Sequence, residues 1–157
     1  MKLVFQKDAL LNGISIVSKA IPSKTTMTIL ECILINADAN DIKLTGNDME
    51  LGIETKVEGS ILERGKIALE AKLFYEIVRK LPDGNSPVTI TSDNRFNTSI
   101  ECENASFHIQ GRDGDEFSYL PYIERDQHIS LTQFTLKESI RQTIFSISPN
   151  DSNKMMA

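Results

Sequence analysis

A strand that runs directly into an amphipathic helix occurs three times in this chain, at intervals of about 65 residues, and a repeated supersecondary unit narrows the available folds more than any other feature. The clearest copy is Gly65–Gly84, GKIALEAKLFYEIVRKLPDG. Lys66–Glu70 alternates polar and apolar residues with the period of a strand, and Phe74, Ile77, Val78 and Leu81 then recur at the spacing of one helix face. Lys72 and Arg79 lie on nearly one line of the opposite face, and Pro82, Asp83 and Gly84 end the helix. At the start of the chain, Leu3 and Phe5 lead into a helix over Lys7–Ile21 with Leu10, Ile14, Val17 and Ile21 as its apolar stripe. Near the end, Ile129, Leu131 and Phe134 of a strand lead into Leu136–Ile147, with Leu136, Ile140, Ile144 and Ile147 inside and Lys137 and Arg141 outside.

The residues between these units read as strands. Leu30–Ala37, Ile42–Thr45 and Met49–Ile61 follow the first helix, and Val88–Thr91, Phe96–Glu101 and Ser106–Gln110 follow the second, separated by Asn, Asp, Gly and Ser turns. Each half is therefore β-α-β-β-β, and the pair makes an α+β domain with helices on one side of antiparallel sheets. Gly111–Gln127 breaks the alternation with glycine, acids and proline and reads as a connector. These signals place a first domain at residues 1–120, a connector at 121–127 and the beginning of a second domain at 128–157. A lone strand and helix cannot bury an apolar face, so the expectation is an N-terminal fragment of a longer protein.

The remaining composition mainly excludes. At 40% hydrophobic residues there is ample material for a core, and no apolar run approaches the roughly 20 residues of a membrane helix. A soluble intracellular protein is expected. Cys32 and Cys102 sit in apolar strand contexts as free thiols, while His108 and His128 are isolated, so no metal site is predicted. Asp48 and Glu50 read as turn residues rather than paired catalytic carboxylates, and no phosphate-cradling glycine loop is present, so neither enzymatic activity nor a cofactor is expected.

Charge is the most informative functional signal. The chain carries −5 overall. Yet the helices and the loop after the first hold Lys7, Lys19, Lys24, Lys72, Arg79, Lys80, Lys137 and Arg141 against Asp8, Glu76 and Glu138, a balance of +5 that leaves −10 elsewhere. Lysine and arginine commonly solvate helix faces. The alternative is a basic helical surface over a polyanion, contacting phosphates without reading bases.

Three stretches, MKLVFQKDALLNGISIVSKAI, TILECILINADANDIKLTGNDMEL and LEAKLFYEIVRKLPDG, resemble the N-terminal domain of the bacterial sliding clamp family, the beta subunits of DNA polymerase III. EFSYLP and FTLKESIRQTIFSIS extend the resemblance to the start of the next domain. It implies duplicated β-α-β-β-β units whose helices line a central hole, three domains per subunit, and two subunits closed head to tail around double-stranded DNA. The implied partners are a replicative DNA polymerase, an ATP-dependent clamp loader and a second subunit, in the cytoplasm and without a membrane. Lys24, Lys72, Lys137 and Arg141 fall at basic positions facing DNA, and Asn150 and Lys154 in a loop that touches it; Arg79 joins them from its place on the Lys72 line. Phe107 and Ile109 of the last strand, with Ile77, match apolar positions of the subunit interface, although Asn104 and Ser106 stand where family members often carry basic residues. The competing reading is a non-catalytic α+β protein-interaction scaffold unrelated to DNA.

Overall fold

The computed structural model describes residues 1–22, 24–38, 40–84, 86–117 and 129–147, which fall into two units, Met1–Leu120 and Pro121–Ala157. In the first unit, strand β1 (Lys2–Phe5) turns Leu3 and Phe5 inward and passes into α1 (Lys7–Val17), where Leu10, Ile14 and Val17 are buried. A 3₁₀ turn over Ser18–Ala20 extends α1, and a second over Thr28–Glu31 precedes β2 (Cys32–Asn36). Then come β3 (Ile42–Asn47), β4 (Gly52–Val57) and β5 (Gly59–Glu63). The second repeat follows the same order: β6 (Lys66–Glu70), α2 (Ala71–Lys80), β7 (Val88–Ser92), β8 (Asn97–Cys102), β9 (Ala105–Gln110) and β10 (Arg112–Asp113).

The strands form two five-stranded antiparallel sheets, ordered β5-β1-β7-β8-β9 and β10-β6-β2-β3-β4. Each repeat therefore lends its leading strand to the other. Leu3 of β1 lies between Ile61 and Ile90, and Ile67 of β6 between Ile35 and Asp113. The inner faces of both sheets and the apolar stripes of both helices meet in one core that includes Leu3, Phe5, Ile14, Ile35, Leu44, Phe74 and Ile90.

Three expectations are corrected. Met49–Ile61 is two strands in different sheets, because the chain crosses at Glu58 from the edge of one sheet to the edge of the other. Gly59 permits that crossing: a Cβ there would lie 2.8 Å from both the Val4 carbonyl oxygen and Phe5 Cδ1. Secondly, Arg112–Phe117, in the stretch read as a connector but inside the expected domain bounds of 1–120, is an integral part of the first unit. Strand β10 pairs with β6, and the 3₁₀ turn after it delivers Phe117 onto Cys32, Leu34 and Ala68, covering the outer face of the β6–β2 pair with a second small core. Thirdly, in the second unit Phe134 belongs not to a strand but to α3 (Gln133–Thr143), which the Thr132 hydroxyl caps by accepting from the Thr135 N–H. Leu136, Ile140, Ile144 and Ile147 are exposed rather than inside, because the described part of this unit contains no sheet on which the helix can bury its stripe.

Candidate nucleic-acid interface

Helices α1 and α2 lie against each other in opposite directions. At one end Lys7, in the first turn of α1, reaches the end of α2: its ammonium donates to the Leu81 carbonyl at 2.6 Å and to the Asp83 carboxylate at 2.5 Å. Lys7 is only 7% exposed, and a cation here sits favourably against the carbonyl end of the α2 dipole. It is thereby removed from the surface charge to which the sequence assigns it.

At the opposite end, Ser15 and Ser18 of α1 and its extension face Ala71, Lys72 and Tyr75 of α2 across a hollow of about 330 Å³ that Ile21 closes. A second hollow of similar volume adjoins it, sharing Ile21, Ala71 and Lys72 and adding Pro22, Glu31 and Glu70. Lys72 is exposed on the rim of both and makes no ion pair among the described residues. Lys24 follows Pro22 by two residues and is also exposed. The structure thus brings Lys72 to the same end of the helix pair as the loop that carries Lys24.

Arg79 lies farther along α2. Its guanidinium donates to Glu76 at 2.7 Å and stands 6.0 Å from the centre of the Tyr75 ring, so its charge is partly committed within the helix. In the second unit, Lys137 is exposed on α3, and Arg141 is paired with Glu138 at 2.9 Å. Asn150 and Lys154 lie outside the described residues.

The residues assigned to a subunit contact divide by accessibility. Ile77 and Ile109 are buried, at 6% and 9% exposure, within the main core, whereas Phe107 is half-buried and packs against it. Strand β9, which carries Phe107 and Ile109, is an outermost strand of its sheet. Asp48 is occupied by turn geometry, accepting the Glu50 and Leu51 N–H groups, with Met49 beside it in the left-handed region at φ 76°. Among the described residues no group of three or more His, Cys, Asp or Glu side chains is placed to hold a metal ion, and no helix is long and apolar enough to cross a membrane.

Sequence reasoning missed Ser18 and Tyr75 as neighbours of Lys72. Asn12, Ser15 and Lys19 are spaced along the polar side of α1, opposite its apolar stripe, and that spacing is a signal that points to this face.

Comparison with known proteins bears directly on this arrangement. A family described as DNA polymerase III beta subunit, N-terminal domain, matches residues 1–121. Beta sliding clamps from Halalkalibacterium halodurans and Bacillus subtilis are each 37% identical over 99% of this chain and 43% of their own length. A solved structure described as a DNA polymerase III beta subunit of Eubacterium rectale is 63% identical, with a TM-score of 0.90 over 99% of this chain and 42% of that one. The DNA polymerase sliding clamp of Bacillus subtilis gives 36% identity and a TM-score of 0.88 over 98% and 42%. The chain therefore spans about two fifths of the length of these relatives.

Proposed function

We propose, from the premise that this chain belongs to the DNA polymerase III beta-subunit family, that it supplies the first domain and the beginning of the second in a ring-forming sliding clamp. Such a ring encircles duplex DNA and holds the replicative polymerase at its template. The observation that carries this reading is the sorting of charge. Lys72 is exposed over the hollow between the two helices, and Lys24 extends from the loop at the same end, while exposed carboxylates such as Glu54, Glu58, Glu63 and Glu101 lie on the strands or the turns between them. Exposed ammonium groups at that density fit phosphates and supply no pattern that reads bases. A topological tether works best with such contacts, because tight base recognition opposes sliding.

On this reading the chain catalyses nothing and needs no cofactor; its partners are double-stranded DNA, the polymerase, an ATP-dependent loader and a second subunit, all in the cytoplasm. Lys24 and Lys72 are the leading phosphate contacts, Arg79 contributes through its partly shared charge, and Lys137 and Arg141 extend the set along α3. The β9 edge, with Phe107 accessible and Ile77 and Ile109 supporting it from the core, is assigned to the subunit joint.

Charge reversal tests this. Lys24→Glu with Lys72→Glu in the full-length protein should leave the fold intact but reduce loading and processive synthesis, and should flatten the dependence of log affinity on log salt by roughly two. Wild-type processivity and an unchanged salt slope in that variant would remove both residues from the DNA-facing set.

A further inference from the structure

Two hollows meet at Lys72, and their walls differ in charge. The one that includes Pro22 also holds the carboxylates Glu31 and Glu70, which repel an anion. In the other, lined by Ser15, Ser18, Ile21, Ala71 and Tyr75, Lys72 is the one charged residue among those described. An anion drawn to the Lys72 ammonium therefore settles on the side of the serines and the tyrosine. The hydroxyls there are not equivalent. Ser18 Oγ donates to the Ile14 carbonyl at 2.7 Å, which commits its proton within its own helix. Ser15, which is exposed, and Tyr75 make no side-chain hydrogen bond among the described residues, so both can donate to a ligand.

Tyr75 is held in place from two sides. Its ring packs against the main core, and the Arg79 guanidinium stands 6.0 Å from its centre while donating to Glu76. Ile21 and Ala71 add apolar walls beside these donors. We infer that the hollow seats one sugar–phosphate unit of the duplex backbone, the phosphate on the Lys72 ammonium and the Ser15 and Tyr75 hydroxyls, the deoxyribose against Ile21 and the Tyr75 ring. This rests on the clamp reading above and adds two contact residues to its cations. A backbone unit has one anionic end and one apolar ring face, as the hollow does, and it repeats at every nucleotide, so the seat reads no sequence. Neutral donors also set a different salt dependence. Lys72 displaces a condensed counterion, whereas Ser15 and Tyr75 bring no charge and contribute the same factor at any ionic strength.

Equilibrium binding of the full-length protein to a short labelled duplex, followed by fluorescence anisotropy between about 20 mM and about 200 mM NaCl, tests this. Tyr75→Phe, which keeps the ring, and Ser15→Ala should each lower the affinity about threefold at every salt concentration, as the loss of one neutral hydrogen bond does. Both should leave the slope of log affinity against log salt in place. Ser18→Ala should lower the affinity less than Ser15→Ala, and Lys72→Gln should flatten the slope by about one. Wild-type affinity in Tyr75→Phe and Ser15→Ala, with the slope still flattened in Lys72→Gln, overturns the seat and leaves the clamp reading standing. A flatter slope in Tyr75→Phe overturns the phenol as a neutral donor, and a loss in Ser18→Ala as large as that in Ser15→Ala overturns the choice between the serines. Absence of duplex binding by the wild type at the lowest salt overturns the DNA-facing assignment of Lys72, and this inference with it.

Discussion

Gly13 occupies the middle of α1, where glycine ordinarily costs a helix about 1 kcal/mol relative to alanine. Replacing it with alanine should therefore stabilise the protein unless packing forbids it, and here packing does. A Cβ at Gly13 would lie 2.4 Å from Val57 Cγ2, 3.2 Å from Leu44 Cδ1 and 3.7 Å from Val57 Cβ. Ordinary contact begins near 3.4 Å, so the Val57 methyl must retreat by about 1 Å. Val57 is β-branched, nearly buried and fixed in a strand, so it can turn only about χ1. Overpacking of this kind costs about 1–3 kcal/mol, which exceeds the gain in helix propensity. The expected outcome for Gly13→Ala is a net loss of about 1 kcal/mol and a fall of several degrees in Tm, about 3–6 °C for a unit of this size. Urea denaturation of Gly13→Ala, Val57→Ala and the double variant supplies the assay. Because Val57→Ala removes the clashing methyl, the double variant should be more stable than the two single losses predict, with a coupling of about 1 kcal/mol. A Gly13→Ala variant as stable as the wild type, or an additive cycle, would refute the reasoning.

Two further perturbations test other contacts. Lys7→Met should cost about 1–3 kcal/mol by leaving the Leu81 carbonyl without its buried donor, whereas Asp83→Asn should matter far less at neutral pH because that carboxylate is open to solvent. Lys7, by hydrogen bond first and by charge second, holds the Asp83 carboxyl below the ordinary carboxylate range. A carboxyl held down in the folded state stabilises above its unfolded pKa and ceases to as pH falls through the folded one, so the wild type should lose stability below about pH 4 and Asp83→Asn should lose less. Thermal melts across that range check both statements. Phe117→Ala should cost about 3 kcal/mol or more by emptying the small core over Cys32, Leu34 and Ala68. Burial pushes the Cys32 thiol above its ordinary pKa and shields it, so a thiol reagent should modify Cys32 slowly in the wild type and quickly in Phe117→Ala.

What the amino-acid pattern reveals here is local periodicity, and what it hides is partnership. Leu10, Ile14, Phe74 and Val78 announce their burial through spacing alone, and the end of α2 follows from the same signals, whereas α1, read as Lys7–Ile21, gives way to a 3₁₀ turn after Val17. The division of Met49–Ile61 is invisible for a physical reason. Ile53, Thr55, Val57, Gly59 and Ile61 keep the same parity, since both sheets turn that face toward one core, so the crossing at Glu58 leaves no break in the alternation. Phe117 follows a run of glycine, arginine and acids, Gly111–Glu116, with no period to mark it. The buried role of Lys7 depends on Leu81 and Asp83, more than seventy residues away, and nothing beside Lys7 in the chain distinguishes it from a solvated lysine. On the candidate interface the same division holds: the cations of α1, α2 and the Lys24 loop are legible as a class, while the pairing of Arg79 with Glu76 and the exposure of Lys72 over the hollow are matters of geometry.

The exchange of leading strands explains why differences between the two repeats carry consequences. With β1 set among the strands of the second repeat and β6 among those of the first, neither half possesses a complete sheet, and the two must form together. Aligning β1 with β6 places Gly13 opposite Ile77 in the repeat. The small residue lets α1 settle closely on β3 and β4, whereas the close partners of α2 are α1 and β6. The outermost strand β4 is thus covered by a close helix and carries the Lys43–Glu54 and Lys56–Asp41 pairs beside it, while the equivalent strand β9, Ala105–Gln110, has no acidic or basic residue other than His108. A symmetric duplication would leave two similar edges and no basis for choosing between them. Glycine on one side and isoleucine on the other is one difference that breaks this symmetry, since it sets how closely each helix can settle on the sheet beneath it, and the charge carried beside β4 but not within β9 is another.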